Sequence, residues 1–562
     1  MVLMRSRAIS RAVAQKGAVL MMMALVLLLA GTTALLSILD SSGVKIKQDN
    51  NTAMALASAK AALIGFSVKS VNAGTRPGDL IRPDFASEAT ADYDGTADAS
   101  CLDATKVNGL PLVSGSSGVN MRCLGRLPWK DLGISIHVPL EADPSGIMPW
   151  YAVSANLVDP TCLTVLNSNT LSLVNNPPPA ALDCSGATLP YPWLTVRDGN
   201  GNILSNRVAA VILIPGAVRG AQSRSSAALS AASQYLDSLI VPVGCTAPCV
   251  PGTYSNADMD NDFVMASENT SSALASEFND QLVYITIDEL MEAVVKRAAG
   301  EARSVLIGYQ SQNGHYPYAV PLGSALNNFT SSGISTTGML PIDGTDTCSC
   351  SSGTSCTCAY SLVNSVAHTR SSGGSYTVNT GLCTRSGSKC TCTGVGQCRN
   401  ASSSRKFTCV AGGSCTFVGS GTSPLFTYTP KSTHGNVTSA SSGCTVSGSN
   451  AVCNASGSFR VGLNLPLWFS QNIWQDDFYY QWSPASDLQF GSHGAIAALV
   501  IGTGSVITNT PFTAKGSAQT RPSSNLTDYL DSIENTNGNM LFDAIGTVRN
   551  SSYNDQMFIV AP

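Results

Sequence analysis

One phrase occurs twice in the chain: "AKAALIGF" from Ala59 to Phe66 and "ARSVLIGY" from Ala302 to Tyr309. Each places small and aliphatic residues at helical spacing, which predicts a buried helix face. Downstream of both copies, further short phrases recur in the same order. The first leads to Arg76-Pro77, "RPDF", "DGTAD" and Cys101; the second leads to Tyr316-Pro317, "LPIDGTD" and Cys348. "LPW" (Leu127 to Trp129) and "WYAVSAN" (from Trp150) are answered by "LPLW" (Leu465 to Trp468) and "YYQWSPA" (from Tyr479). "VAAVILI" (from Val208), "QSR" (from Gln222), "YLDSL" (from Tyr235) and "FNDQLVYI" (from Phe278) are answered by "AIAALVI" (from Ala495), "QTR" (from Gln519), "YLDSI" (from Tyr529) and "YNDQMFIV" (from Tyr553). So many short matches in one order are the mark of an internal repeat.

The expected fold class is therefore α+β, a helix packed on a mainly antiparallel sheet, twice. "VAAVILI" and "AIAALVI" are short apolar runs of the kind that forms buried strands, and "LVYIT" and "MFIVA" are the expected final strands. The second module opens with "DELMEAVVKRAAGEARSVLIGY", in which Leu290, Val294, Val295 and Ala298 share a helical face. Asp288 and Glu289 at its start suit the positive end of the helix dipole.

Only the first copy is preceded by a long apolar run. From Ala18 to Leu39 there are 22 residues without a charge, behind Arg5, Arg7, Arg11 and Lys16. A helix of that length crosses a hydrocarbon core of roughly 30 Å. The basic flank predicts a cytoplasmic N-terminus and everything after Leu39 outside. A cleaved secretory signal, with Ala30, Thr32 and Ala34 near its end, is the alternative; its apolar region is ordinarily only about 7 to 15 residues long. Beyond Asp40 to Gly43, the stretch to Ser70 keeps helical spacing, so that Ala18 to Ser70 would make a helix of roughly 80 Å.

Charged residues make up only 12% of the 562, about half the usual share, and the net charge is -4. That profile suits a secreted or surface protein and gives no electrostatic footprint for nucleic acid.

The Gly17-Ala18 junction, where a short basic leader ends in glycine directly before the apolar run, resembles the class III signal of prepilins. "RPG" at Arg76 to Gly78, Pro83-Asp84, Asp94-Gly95, Cys101 and Leu127-Pro128-Trp129 resemble markers of prepilin-like proteins of Gram-negative bacteria, and "SQNGHYP" (Ser311 to Pro317) resembles a phrase found after the helix in pseudopilins. The resemblance implies cleavage by a prepilin peptidase after Gly17 and a methylated mature N-terminus at Ala18. It also implies a helix that serves first as an inner-membrane anchor and then packs against other pilins or pseudopilins. The family usually has Glu as its fifth mature residue, where this chain has Met22; that substitution suits a subunit at a filament tip. The domains expected on this footing are the leader at 1–17, the transmembrane helix at 18–39, a first pilin-like module at 40–286, and a second at 287–347 and 460–562. A Cys/Ser/Gly-rich loop insertion is expected at 348–459.

The 18 cysteines are disulfide candidates: Cys101, Cys123, Cys162, Cys184, Cys245, Cys249, Cys348, Cys350, Cys356, Cys358, Cys383, Cys390, Cys392, Cys398, Cys409, Cys415, Cys444 and Cys453. Twelve of them fall in the insertion, whose composition offers little apolar surface to bury, so disulfides are expected to supply its order. A metal-thiolate cluster is the alternative for the Cys-x-Cys pairs. Two acidic runs, Asp92, Asp94 and Asp98, and Asp258, Asp260 and Asp262, place carboxylates at the alternation that folds a loop around calcium; such acidic turns are usually solvated loops, and calcium is the sharper alternative. "LWFSQNIWQDDFYYQW" (Leu467 to Trp482) is expected in the second module's core, with a carbohydrate- or protein-binding surface as the alternative. No H-E-x-x-H, G-x-S-x-G or Walker loop occurs, and the five histidines are scattered. The expected function is that of a minor pilin or pseudopilin subunit of a type IV pilus or type II secretion filament, at the tip or in assembly initiation and adhesive if exposed. A membrane-anchored protein that does not polymerise is the second expectation, and an exported enzyme the third.

Overall fold

The computed structural model describes residues 47–69, 76–84, 93–98, 122–158, 165–169, 193–266, 278–323, 335–342, 440–507, 516–543 and 553–561, with short gaps inside these ranges. It also describes the backbone of strands at 106–111 and within 344–462. The fold is mixed helix and sheet. Helix α1 (Lys47–Lys69) is long and apolar enough by length and composition to cross a membrane. In the fold it lies on protein instead. Thr52, Leu56, Ala59, Leu63 and Ser67, spaced by three or four residues, are its buried stripe, while Met54 on the other side is 70% exposed.

The first sheet has six strands: β1 (Arg122–Arg126), β2 (Trp150–Ser154), β3 (Leu194–Asp198), β4 (Ile203–Ile214), β5 (Asp262–Met265) and β6 (Gln281–Thr286). The long β4 carries the sheet. Along one side it pairs with β3 and then β2, along the other with β6, all antiparallel. Its last seven residues, Val208 to Ile214, are buried, as expected for a continuous apolar run with both faces covered. At the outer edge β5 pairs parallel to β3, and the buried Asn256 amide closes its far side, giving and accepting one hydrogen bond with the Val264 backbone. An exposed row of strand groups is thereby capped by a side chain.

Helix α2 (Ile287–Asn313) follows β6 directly. The Thr286 hydroxyl accepts from the Glu289 amide at its start, and Gly314 takes the left-handed conformation that ends it. Leu290, Val294, Val295, Ala298, Ala302 and Leu306 form its buried face, within one core that also takes in Leu56, Ala59 and Leu63 of α1 and residues of both sheets. Lys60 of α1 pairs with Glu289 at 2.8 Å, and Arg207 of β4 pairs with Asp288 at 3.2 Å.

The second sheet has four strands in the order β7 (Thr337–Met339), β8 (Phe478–Trp482), β9 (Ala498–Gly502) and β10 (Gln556–Ala561). It runs in step with the first. Arg126 faces Trp150, which faces Leu213, which faces Leu282; Met339 faces Tyr479, which faces Ile501, which faces Met557. The Tyr151 hydroxyl donates to the Ile81 carbonyl at 3.0 Å and the Tyr480 hydroxyl to the Pro317 carbonyl at 3.1 Å.

This register corrects two of the sequence correspondences. "GRLP" (Gly125 to Pro128) is matched by "GMLP" (Gly338 to Pro341), whereas Leu467–Gln471 of "LPLW" is a short helix leading into β8. Asp84 bridges Arg126 as Val320 bridges Met339, so Ile81 rather than Pro77 corresponds to Pro317. Proline phrases recur wherever chains turn, and such short matches slip; the ladder cannot slip without turning every side chain to the other face.

The insertion is also corrected: where a loop is expected, the described residues are strands. Its strands make two six-stranded sheets between Gly344 and Gly462, placed between β7 and β8. Entry and exit strands Gly344–Ser351 and Ser456–Gly462 pair antiparallel, Gly344 opposite Val461, so the insertion closes at its base. Alternating Ser, Thr and Cys suit a ladder held by backbone bonds with little apolar burial.

Candidate functional site

The feature built most carefully in both halves is a buried polar lock at the end of the fourth and ninth strands. In the first half it comes from "QSR", "YLDS" and "ND". Gln222 Nε2 donates to Asp237 Oδ1 at 2.9 Å, the Asp237 amide to Asp280 Oδ2 at 2.8 Å, and the Asn279 amide to Asp237 Oδ2 at 2.7 Å. In the second half, Gln519 Nε2 donates to Asp531 Oδ1 at 2.9 Å, the Asp531 amide to Asp555 Oδ2 at 2.8 Å, and the Asn554 amide to Asp531 Oδ2 at 2.7 Å. Asn279 Nδ2 donates to the Ala217 carbonyl and Asn554 Nδ2 to that of Ser505. Each asparagine rests on a glycine, Gly216 or Gly504, where an added methyl would meet its side chain. Thus two loops and the last strand of each sheet are tied by backbone amides held on carboxylates.

Two carboxyl groups this close in a dry site favour sharing one proton. Burial, then the charge of Asp237, pushes Asp280 up to about 8; burial, then Asp531, pushes Asp555 well above the usual carboxylate range. Asp237 is raised by burial, and Asp531 is raised by burial to about 6. Asp280 Oδ1 and Asp555 Oδ1 are buried without a hydrogen-bond partner among the described residues. Buried among backbone amides, these carboxyls organise loops.

Arginine completes each lock. Arg224 lies 5.2 Å over the Tyr235 ring and Arg521 5.2 Å over the Tyr529 ring, each also donating to the carbonyl of that tyrosine. The first half adds a second, fully buried cation. Arg126 lies 4.0 Å over Trp150, 4.4 Å over Tyr235 and 5.4 Å over Tyr93, and donates to the Met148 carbonyl at 2.9 Å. Desolvation lowers it to about 10, which leaves it charged at neutral pH. Met339 takes the matching register position in the second half, in an apolar cluster with Tyr479 and Tyr529.

Where the halves meet, Asn472 is the link. Its Oδ1 accepts from the Leu166 amide at 2.9 Å and from Arg76 at 3.4 Å, and its carbonyl accepts from Asn167 at 2.8 Å. Arg76 is held by Asp79 at 3.1 Å. Arg76 of the "RPG" marker and the Asp79 that follows it are thus joint residues. On the second module's side burial raises Asp476 to about 6 and Asp477 to about 7.

Of the residues singled out from the sequence, Gly17, Ala18, Met22 and the whole 18–39 segment lie outside the described residues, as do Asp92, Asp260, Cys101, Cys162 and Cys184. Asp94 accepts from the Thr96 hydroxyl and amide, which hold its carboxyl below the usual range, the hydroxyl most. Asp98 donates its amide to Pro83, Asp258 is exposed, and Asp262 pairs with Arg197 at 3.2 Å. Among the described residues no three His, Cys, Asp or Glu stand together as a metal site. Cys245 and Cys249 form a disulfide, and Cys444 is disulfide-bonded. Cys123 lies on β1, and the remaining cysteines of the insertion lie on strands described by their backbone. The aromatic run is core: Phe469, Trp474, Phe478, Tyr479, Tyr480 and Trp482 are buried. The lock residues stood in the sequence only as repeat markers. The signal that identifies them is that the matched phrases hold Gln, Asp and Asn, which a surface turn has no need to keep in register.

Comparison of the chain with protein-family models, with curated proteins and with solved structures yields no match.

Proposed function

We propose that the chain is a minor pilin- or pseudopilin-like subunit, cleaved after Gly17, anchored in the inner membrane by Ala18 to Leu39, and built into or capping a type IV pilus or type II secretion filament. Its two pilin-like modules are copies of one unit, and the inserted sheets of the second face outward. Its partners are other pilins or pseudopilins, through the N-terminal helix, and the prepilin peptidase. No catalytic role is assigned to it.

The observation that carries this proposal is the seating of α1. The helix follows a basic leader and an apolar run in the sequence, buries a single stripe in the core beside β6 and α2, and leaves the side bearing Met54 uncovered. A filament subunit needs that division, one face for its own head and the rest for neighbours. The matched register of the two sheets supports the doubled head, and Met22 supports the tip position.

The test is the mass of the mature N-terminus. A chain beginning at Ala18 with a methylated amine is expected, together with co-fractionation with sheared filaments. A chain retaining Met1 would make the protein a permanent anchor. A start beyond Thr32 would remove both the anchor and the filament role.

A further inference from the structure

The pairing of the insertion strands fixes where its cysteines stand. Three tight hairpins carry nine of the twelve. The first closes at Ser351 opposite Ser355, the second at Ser386 opposite Lys389, and the third at Ser447 opposite Asn450. At such a turn the closing residues meet as a hydrogen-bonded pair, because the residues beyond them are too near in the chain to bond each other. Hydrogen-bonded and non-hydrogen-bonded pairs then alternate down the ladder.

Counting from each turn, Cys350 opposite Cys356, Cys348 opposite Cys358, Cys383 opposite Cys392, and Cys444 opposite Cys453 are all non-hydrogen-bonded pairs. That class brings opposed Cβ atoms closest, toward the separation of about 3.8 Å at which disulfides form. Cys348 and Cys350 are two apart on one strand, about 6.6 Å by strand rise, at the outer limit for a disulfide. Cys392 also stands opposite Cys415, but there the same count makes a hydrogen-bonded pair, the less favourable class. An independent fact agrees: Cys444 is in a disulfide, and the cysteine opposite it in register is Cys453.

We infer that the insertion is stapled by four cross-strand disulfides, Cys348–Cys358, Cys350–Cys356, Cys383–Cys392 and Cys444–Cys453, one or two to each hairpin. The first two lie side by side on one face of the strand by which the insertion enters from β7. Each bond forms by thiol–disulfide exchange with an oxidising protein disulfide, which takes up two electrons and two protons and leaves as a dithiol. Only the supply of that oxidant rests on the export proposed above. A mature N-terminus at Ala18 with different pairing would overturn the staples and leave the filament proposal standing.

The experiment is partial reduction and stepwise alkylation of the full-length, membrane-extracted chain, with mass spectrometric mapping. The four stated linkages are expected in the wild-type protein. In Cys348→Ser one new free thiol is expected, at Cys358. A new thiol at Cys350 or Cys356, a Cys348–Cys350 or Cys392–Cys415 linkage, or zinc bound by four unmodified thiols would each overturn the assignment. Because the wild-type map needs no variant, a substitution that prevents folding leaves the test intact.

Discussion

At one register position the first half has Arg126 and the second has Met339, and the strands around both are otherwise in step. Arg126 is surrounded by Tyr93, Trp150 and Tyr235, whose ring faces offset part of the loss of water. Met339 sits among Val320, Tyr479, Leu499 and Tyr529, and nothing there needs a cation. The polar lock beside them is the same in both halves to within 0.1 Å in its carboxylate hydrogen bonds. A shared backbone thus keeps the groups that tie its loops, while the space beside them is refilled with whatever packs.

The largest expected effect comes from exchanging that position. Met339→Arg buries a cation in an apolar cluster that holds a thioether now, and should cost about 3–5 kcal/mol, the range found when a buried charge lacks a partner. Arg126→Met removes a charge that is costly to bury and leaves the Met148 carbonyl without its donor; it should change stability by only about 1 kcal/mol in either direction. Urea unfolding followed by tryptophan fluorescence checks both. Equal losses would mean that the two sites are not the same position filled in two ways.

Next in size is the pH dependence of the lock. A carboxyl raised in the fold binds protons there that the unfolded chain has released, so its stability contribution is full below about pH 4, the ordinary aspartate value, and declines as pH rises through the folded value. For Asp280, at about 8, the loss spreads from about pH 4 to about pH 8; for Asp531, at about 6, its own part ends near pH 6. The midpoint of thermal unfolding should therefore fall across this range. Asp280→Asn and Asp555→Asn, which imitate the protonated form, should each flatten the slope, and the double variant should flatten it most. A slope unchanged in the double variant would place its origin elsewhere.

Smaller again are the glycines under the two asparagines. Gly504 has φ +60 as well as the Asn554 side chain against it, whereas Gly216 has only the contact with Asn279. Gly504→Ala should cost about 2–3 kcal/mol and Gly216→Ala about 1–2, because only the first adds left-handed strain to crowding. Melting curves of the two variants measure the difference.

How much of this was legible in the sequence depended on whether a residue's neighbours lay along the chain or across it. The helix faces of Ala59 to Phe66 and Ala302 to Tyr309, the runs around Val208 and Ala495, and the aromatic core from Leu467 were readable, since periodicity and apolar clustering are local properties. The lock was not, because Gln222, Asp237 and Asn279 meet only when a loop, a turn and a last strand are brought to one place. The insertion misleads for a related reason. Serine, threonine and glycine at low hydrophobicity look like a loop, and what makes them sheet is pairing between distant strands such as Gly344–Ser351 and Ser456–Gly462.

The finest comparison is a single hydroxyl in each half. Tyr151 and Tyr480 occupy one register position, both are fully buried, and each donates to one backbone carbonyl, of Ile81 or Pro317. Burial raises both phenols well above their ordinary value, so both remain donors throughout the pH range in which the chain is folded. Tyr151→Phe and Tyr480→Phe keep the ring and remove the donor, leaving a carbonyl unsatisfied, and each should cost about 1–2 kcal/mol. The two positions lie in separate sheets and share no hydrogen-bond partner, so the double variant should lose the sum to within about 0.5 kcal/mol. A coupling larger than that would show that α2 and the core it shares with both sheets pass strain from one half to the other.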